Sequence, residues 1–411
     1  MGAFDVRLHP ALSFFAASLI AFVPFEAAAQ EVASPSVSVR ERPRPEYDPQ
    51  GVRFGGFDLH ANLDVGVAST DNLFATENNA DSDTIYTISP QAHLDSHWSR
   101  NALSFAAGLT QTGHQDFNSE DTTTGFVSGR GRLDVGANTQ VTGGARYARE
   151  VEPRTNVDAL QIGEPVEYDV SQGLLSVAHT FNRIQVSASA QRTELNYHDA
   201  GPIDQDFRDS TENAGTLRAE YAISPRIGLV GQMTLDHRKY DNDPGLSSNG
   251  RTYLVGVAIN FTDIMRGQVA VGEFNRDYDF GQHVNGTAVD ANLEWYVTEL
   301  TTLSFSASRS GQDSGATTSD PYVESSLGAH VDHELLRNLI VSAGIQKGKR
   351  DYQVIDRNDD FTGGEVAAEY ILNRRVALSA RYRHDSVDSS GANRYRNYDV
   401  NTFSLGLSLR L

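Results

Sequence analysis

The chain has 411 residues, no cysteine and a formal net charge of −20. The lack of cysteine excludes a disulfide framework, a zinc ribbon and thiol chemistry, and the acidic balance excludes bulk nucleic-acid binding, which needs a basic surface. Hydrophobic residues are 39% of the chain, but 16 tyrosines and 19 phenylalanines exclude an acidic disordered chain, which would be poor in aromatic residues. The pattern of apolar residues must therefore decide the fold.

The first 29 residues have the features of a secretory signal peptide. Arg7 precedes an apolar run from Ala11 to Val23, and Ala27 and Ala29 fit the small residues at positions −3 and −1 of a signal-peptidase site. The apolar run is too short for a transmembrane helix, which needs about 20 residues. We expect residues 1–29 to be removed and the remainder to be exported.

Residues 30–54 contain repeated proline and arginine, as in Arg42–Pro43–Arg44–Pro45. Proline lacks a backbone donor and prevents helix formation, so we expect an extended, non-helical periplasmic segment. Two roles stay open for it. It is either a flexible lead-in to the next domain, which we favour, or an arm that docks on a partner.

From residue 55 onward, apolar and polar residues alternate in blocks of about 10–14 residues. The last block sets Phe403, Leu405, Leu407 and Leu409 against Ser404, Gly406, Ser408 and Arg410. Successive side chains of a strand point to opposite faces, so each block predicts a strand with one apolar and one polar face. Residues 55–411 are therefore expected to form one all-β domain.

Two all-β folds fit this pattern: a soluble sandwich that packs its apolar faces together, and a membrane barrel that turns them toward lipid. The blocks match the ~9–11 residues with which a tilted strand crosses a bilayer. Eight tight turns alternate with nine longer polar loops, as the periplasmic turns and outer loops of outer-membrane barrels do. We predict an antiparallel up-and-down β-barrel of about 18 strands, with 16 as the alternative, that encloses a water-filled lumen.

The polar faces of these strands predict the lining of the lumen, because charged side chains are costly on the lipid face. The residues assigned to the lumen and to solute contact are Arg130, Arg132, Arg146, Arg218, Glu220, Asp290, Glu294, Glu365, Glu369, Arg381 and Arg383. Two interpretations stay open. The arginines bind a hydrophilic, anionic solute, or the charges neutralise one another and form a hydrated wall.

Three segments were considered as metal or catalytic sites. Asp241–Gly245 and Asp356–Asp360 resemble calcium loops but lack the spaced 12-residue pattern. The string His330–Val331–Asp332–His333–Glu334 places its two histidines on opposite faces of a strand, so we expect a charged cluster at a periplasmic turn. The chain also contains no G-x-S-x-G nucleophile elbow. We expect no metal, no cofactor and no enzymatic activity.

Residues 42–105 contain a specific succession of short motifs. Arg42–Asp48 leads to Gly51–Phe57, then to Thr70–Asp71–Asn72–Leu73–Phe74, Ile88–Ser89–Pro90 and Ser96–His97–Trp98–Ser99–Arg100–Asn101. This succession resembles the "putative β-barrel porin 2" family of outer-membrane proteins. The resemblance implies an outer-membrane barrel and, because some members belong to capsule or exopolysaccharide export systems, a passage for polysaccharide. It implies no catalytic residue.

The favoured function is therefore an outer-membrane channel for a hydrophilic solute, as a component of exopolysaccharide or capsule export. The alternatives are a structural or adhesive barrel that does not conduct, and a general diffusion porin. The expected partners are outer-membrane lipid, lipopolysaccharide and, through the family resemblance, a polysaccharide-export lipoprotein in the periplasm. No nucleic-acid partner is expected.

Overall fold

The computed structural model describes residues 37–156, 159, 163–259, 264–313 and 320–411. The predicted signal peptide and the first part of the predicted N-terminal segment lie outside the described residues. So do parts of one predicted tight turn and of two predicted outer loops. In the ranges that are described, no helix is long and apolar enough to cross a membrane.

One short strand and eighteen long strands are found in the described residues, together with three short 3-10 helices in the connections. The strands are β1 (Val52–Phe54), β2 (Phe57–Thr70), β3 (Asp83–Ser96), β4 (Ala102–His114), β5 (Thr122–Val135), β6 (Thr139–Val151), β7 (Glu167–Phe181), β8 (Ile184–Tyr197), β9 (Ser210–Ser224), β10 (Ile227–Tyr240), β11 (Ser248–Ile259), β12 (Met265–Tyr278), β13 (His283–Thr298), β14 (Thr301–Asp313), β15 (Pro321–Leu336), β16 (Leu339–Tyr352), β17 (Asn358–Asn373), β18 (Val376–Ser390) and β19 (Tyr398–Arg410). The 3-10 helices are Asn118–Glu120, Asp206–Arg208 and Pro244–Leu246.

The long strands form a closed antiparallel barrel. Each pairs with its neighbours in sequence, and β19 pairs with β2 through Thr402–Arg410 and Asn62–Thr70. Closure gives every long strand a neighbour on both sides, although the extracellular ends of β13 and β14 do not pair with each other. The prediction of an 18-strand up-and-down barrel is confirmed. The short β1 pairs only with the start of β2, as a hairpin that turns at Gly55 and Gly56.

The two faces of each strand are oriented as the alternation predicts. On β19, Phe403 and Leu405 are 50% and 48% exposed, and Ser404 between them points to the interior. On β5, Leu133 and Val135 likewise project outward. The apolar rows form the outside of the barrel, where lipid covers them, and are not packed against one another as in a sandwich.

The connections also agree with the prediction. Short turns join β3 to β4, β5 to β6, β7 to β8 and so on at one end of the barrel, and the longer loops lie at the other end. Gly136 and Asn182 have positive φ angles in two of the tight turns, a conformation that glycine and asparagine adopt more easily than other residues. Because short turns mark the periplasmic side of outer-membrane barrels, we call that end the periplasmic end and the opposite end the extracellular end.

Candidate channel interior

The eleven charged residues assigned to the lumen by sequence alternate with outward-facing apolar residues, so their side chains point to the interior. For example, Arg218 and Glu220 alternate with Leu217 and Tyr221 on β9, and both apolar residues are exposed. The same alternation holds on β5, β6, β13, β17 and β18.

The arginines and carboxylates of the predicted lining are unevenly distributed around the interior. Arg130, Arg132, Arg146 and Arg218 lie on β5, β6 and β9, and we call the inner faces of β5–β9 the basic wall. The inner faces of β13–β17 form the acidic wall, whose carboxylates are Asp290, Glu294, Glu324, Asp332, Glu334, Glu365 and Glu369. In a ring of eighteen strands, β5 and β14 are nine strands apart, so the two walls face each other across the lumen.

On the basic wall, arginines are paired with acids of their own strand. Arg146 lies 2.7 Å from Glu150, with side chains 29% and 34% exposed. Arg218 lies 3.4 Å from Glu220, and Arg132 pairs with Asp134. Because partly exposed ion pairs contribute little stability, these guanidinium groups can exchange a neighbouring carboxylate for one carried by a solute.

The far edge of the acidic wall is paired with arginines of β18 and β19. Arg381 lies 3.3 Å from Glu365 on the neighbouring strand, and Arg410 lies 2.5 Å from Glu369. Arg383 pairs with Asp385 of its own strand at 2.6 Å. The predicted lumen residues of β17 and β18 thus form local ion pairs.

The N-terminal residues 37–50, which we call the arm, lie inside the periplasmic end of the barrel. Val39 is fully buried, and its backbone N–H donates to Thr302 Oγ1 on β14 at 3.0 Å. The arm is non-helical but differs from the expected extended segment, because it forms turns closed by backbone hydrogen bonds such as that from Arg42 N–H to Ser38 O. The favoured expectation of a flexible lead-in differs from this structure, because the arm packs against the acidic wall.

Arg40 attaches the arm to three strands of the acidic wall. Its guanidinium donates to Asp332 Oδ1 at 2.7 Å and to Ser342 Oγ at 2.6 Å. It also lies 3.8 Å from Glu369. One arginine of the arm therefore bridges β15, β16 and β17.

Arg44 makes the most buried ion pair of the arm. It lies 2.9 Å from Glu334, and both side chains are 4% exposed. Burial lowers the pKa of the Arg44 guanidinium from its ordinary value, and the charge of Glu334 opposes that shift. Arg42 lies 3.9 Å from the same carboxylate. Glu334 is thus held by two arginines of the arm.

Further contacts extend the arm along the periplasmic rim. Glu41 pairs with Arg266 of β12 at 2.9 Å, and Arg266 also pairs with Glu294. In the turns, Arg337 donates to Pro43 O at 3.2 Å and Arg374 donates to Pro45 O at 2.6 Å. The arm therefore covers the inner rim from the β17–β18 turn to β12.

The residues His330–Glu334 of β15, which resemble a metal site in sequence, contact the arm and neighbouring strands. His330 Nε2 lies 3.2 Å from Asp332, which binds Arg40, and Glu334 binds Arg44. His333 is on the other face and contacts Thr301 at 3.0 Å, as the strand alternation predicted. The charged cluster near the periplasmic turn is the binding site for the arm.

At the extracellular end, Arg396 joins three loops. Its guanidinium donates to Arg154 O at 2.6 Å, to Asn156 O at 2.8 Å and to Phe74 O at 3.3 Å. Tyr398 donates to the neighbouring Thr155 carbonyl. Burial lowers the pKa of Arg396 from its ordinary value. The loops after β2, β6 and β18 are therefore interlocked over the barrel.

The extracellular ends of β13 and β14 separate from each other, while β14 stays paired with β15 as far as Asp313. β13 and β14 pair only from Val289 and Arg309 toward the periplasmic end. Beyond this point, Asp313 of β14 binds Arg238 of β10 and Tyr278 of β12, which are not adjacent strands. One apolar cluster lies beside this region and consists of Leu254, Ala270, Phe274, Tyr278, Val284, Ala288 and Val323, whereas a second lies near the interlocked loops and consists of Ala75, Phe361, Val387, Tyr398 and Val400.

A shared cation could be considered at one place in the described residues. Asp199, Asp204 and Asp206, in the loop between β8 and β9, bring carboxylate oxygens within 4.8 Å of one another, and all three are exposed. Exposed acidic loops commonly adopt such spacing without an ion, so the group carries no functional argument.

Sequence reasoning missed the arm and its binding site. Arg40, Arg42 and Arg44 alternate along the arm, while Asp332 and Glu334 alternate along β15. This matched spacing of opposite charges is the feature of the sequence that indicates the contact. It does not identify the contact by itself, because the sequence does not show which of many strands with carboxylates lies beside the arm.

Comparisons with known proteins identify the family of the chain. The family model described as Putative beta-barrel porin 2 matches residues 44–411, and no curated protein matches the chain. Similar solved structures include OpdK from Pseudomonas aeruginosa, 12% identical, covering 86% of this chain and 98% of that chain with a TM-score of 0.47. OccK2 (OpdF) from the same organism is 14% identical, with coverages of 86% and 98% and a TM-score of 0.49.

A BenF-like porin from Pseudomonas fluorescens Pf-5 is 12% identical, with coverages of 86% and 99% and a TM-score of 0.48. At these identities the likeness concerns the fold alone, whereas the family match spans nearly all of the predicted mature chain. The chain therefore belongs to the putative beta-barrel porin 2 family, and it is an outer-membrane β-barrel porin and not an enzyme.

Proposed function

We propose that this porin is a channel for a hydrophilic, anionic polymer, and that it serves as the outer-membrane passage of an exopolysaccharide or capsule export system. The observation that carries the proposal is the asymmetry of the interior. The basic wall presents partly exposed arginines to the lumen, whereas arginines of the arm pair with three carboxylates at the periplasmic end of the acidic wall.

The arm changes the balance of charge that a solute meets. Asp332, Glu334 and Glu369 are each contacted by an arginine of the arm, so their attraction for cations is reduced. Arg130, Arg132, Arg146 and Arg218 stay on the opposite wall. Guanidinium groups bind carboxylates and phosphates through planar pairs of hydrogen bonds, which suits a uronic-acid or phosphate-bearing polymer.

We propose positions for the partners at the two ends and on the outer surface of the barrel. A polysaccharide-export lipoprotein would meet the periplasmic end, where the arm lies, and lipopolysaccharide would surround the extracellular half. The residues Arg130, Arg132, Arg146, Arg218, Glu220, Asp290, Glu294, Glu365, Glu369, Arg381 and Arg383 are proposed as the lining that contacts the solute. The support for a polymer comes from the family resemblance together with the arginines of the lining.

Planar-bilayer recording of the purified mature protein tests the channel. We expect steps of conductance with a preference for anions and, in a variant that lacks the arm, block by polygalacturonate but not by neutral dextran of the same length. A folded barrel that carries no current would contradict the channel. Deletion of the gene tests the polymer separately, because unchanged surface polysaccharide would remove the export role and leave the channel intact.

A non-conducting structural barrel is the second candidate. It is favoured by the filling of the interior, since the arm, the interlocked loops and two apolar clusters occupy parts of the lumen at both ends. The same recordings distinguish the two candidates. A structural barrel would carry no current even after the arm is deleted, whereas a channel would conduct.

A further inference from the structure

We propose that the arm is a releasable stopper of the periplasmic mouth, and that a polyanion releases it by competing with the acidic wall for Arg40, Arg42 and Arg44. This inference rests on the proposed function, because it assigns to the transported polymer a second role in opening its own passage. The binding site it names is the arginine row of the arm, and the ligand class is a polymer with repeated carboxylates or phosphates.

The contacts that hold the arm are mainly polar. Arg40 binds Asp332 at 2.7 Å, Arg44 binds Glu334 at 2.9 Å and Glu41 binds Arg266 at 2.9 Å. The apolar contribution in the described part of the arm comes chiefly from Val39, the only hydrophobic residue of residues 37–50 that is fully buried. A binding surface of this kind can be released by exchanging one set of carboxylates for another.

The connection between the arm and the barrel permits such a movement. Gly51 has a φ of +64°, and an added Cβ would lie 2.7 Å from His60 and 2.8 Å from Leu59 O. The chain therefore makes a sharp bend at Gly51 that other residues would not fit. Beyond this bend, β1 stays paired with β2, so release of the arm leaves the barrel itself unchanged.

The arm also lies where a polymer would enter. It reaches from the turn at Arg374 to Arg266 on β12, so it covers the inner rim over six successive strands. The arginine row and the basic wall would then act in sequence. A polyanion would first bind the arm at the periplasmic mouth and afterwards meet the arginines of β5 and β6 across the lumen.

Cysteine labelling provides the test, because the chain contains no native cysteine. Val39→Cys reports the docked arm, and Arg183→Cys in the exposed β7–β8 turn is the matched control. With an impermeant maleimide on the folded protein, we expect Val39→Cys to react at least tenfold more slowly than the control. Polygalacturonate should accelerate labelling of Val39→Cys severalfold, and neutral dextran should not.

A charge variant separates the arm from general effects of net charge. The triple change Arg40→Ala, Arg42→Ala and Arg44→Ala removes three charges from the arm, and Arg183→Ala, Arg226→Ala and Arg375→Ala remove three charges from exposed turns. We expect the first variant to label rapidly at Val39→Cys without polymer and to conduct more current. The second should behave as the unmodified protein. For both variants, a band of the folded form in unheated gels shows that the barrel is intact.

A disulfide between the arm and β14 tests the same proposal by holding the arm in its docked position. Val39 and Thr302 are joined by a hydrogen bond of 3.0 Å, so Val39→Cys with Thr302→Cys should cross-link and hold the arm. We expect low conductance under oxidising conditions and recovery with a reductant. If this disulfide does not form, the comparison of labelling rates still tests whether the arm is docked.

The outcomes are distinguishable from failure of the channel itself. Rapid labelling of Val39→Cys without polymer would show that the arm is not docked, and unchanged labelling with polygalacturonate would overturn release by polyanions. Both results leave conduction possible. Conversely, protected and polymer-sensitive labelling in a barrel that never conducts would support the moving arm and contradict the proposed channel.

Discussion

The basic and acidic walls are built from the same alternating strands but are used differently. On the basic wall, Arg146 and Arg218 pair with acids two or four residues away on their own strands, and their side chains stay partly exposed. On the acidic wall, Asp332 and Glu334 are paired with arginines almost 300 residues away in sequence, and the Arg44–Glu334 pair is nearly inaccessible.

The difference shows how the two walls of one barrel can expose their charges to the lumen in different ways. Local pairs along a strand leave the guanidinium groups in contact with water, so their interactions with a solute remain exchangeable. On the opposite wall, arginines of the arm pair with Asp332, Glu334 and Glu369, which reduces the negative charge that faces the lumen. The asymmetry therefore depends on the arm and not only on the strand sequences.

The largest expected effect comes from placing a charged side chain on the outer, apolar face of a strand. Ile88 on β3 is 50% exposed to the outside, and the adjacent Thr87 points inward. Ile88→Arg should lower the free energy of unfolding by about 2–4 kcal/mol, since it places a charge in the lipid region. Urea unfolding in liposomes measures this change. Thr87→Arg is the control, and an equal loss in both variants would contradict the assigned faces.

The next effect removes the charges that hold the arm. Asp332→Asn with Glu334→Gln should release the arm, because Arg40 and Arg44 lose their partners. We expect the labelling rate of Val39→Cys to rise about tenfold. The matched control is Asp290→Asn with Glu365→Gln, which removes the same charge from carboxylates that make no ion pair with the arm. Equal rates in the two variants would argue against specific docking.

A smaller effect is expected at the basic wall. Changing Arg130, Arg132, Arg146 and Arg218 together to glutamine removes the positive charges that attract anions. The ratio of anion to cation permeability should fall severalfold, as measured by the reversal potential in a salt gradient. Arg192→Gln on the exposed outer side of β8 is the control and should leave the ratio unchanged.

The smallest effect should come from added salt, which weakens the exposed ion pairs of the arm more than the buried ones. Raising the salt concentration from 0.1 M to 1 M shortens the Debye length from about 10 Å to about 3 Å. The Glu41–Arg266 pair is partly exposed, whereas Arg44–Glu334 is buried. We expect about a twofold rise in labelling of Val39→Cys, with Arg183→Cys unchanged. Complete release at 1 M would show that buried pairs contribute little.

Most of the fold could be predicted because its signal is local. Phe403 and Leu405 on one face of β19, with Ser404 between them, repeat a period of two that only strands explain. The eight tight turns follow from residues such as Gly136 and Asn182, which adopt positive φ. The strand number follows from counting these elements, and closure follows because a membrane barrel leaves no free edge.

The sequence predicted only those features of the candidate site that depend on neighbouring residues of one strand. The direction of Arg146 and Glu369 follows from strand alternation, but the attachment of Arg40 to Asp332 joins segments 292 residues apart. No period or turn rule connects such segments. The contact between Asp313 and Arg238 is similar, since Asp313 meets Arg238 only after β14 separates from β13.

The ladder between β19 and β2 has a consequence for assembly. The first and last barrel strands meet there through Asn62–Thr70 and Thr402–Arg410. The arm is joined covalently to the β2 side, yet it docks on β15 and β17 beyond this seam. Pairing of β19 with β2 brings the attachment point of the arm toward β15–β17, so we expect the arm to dock after the barrel has closed.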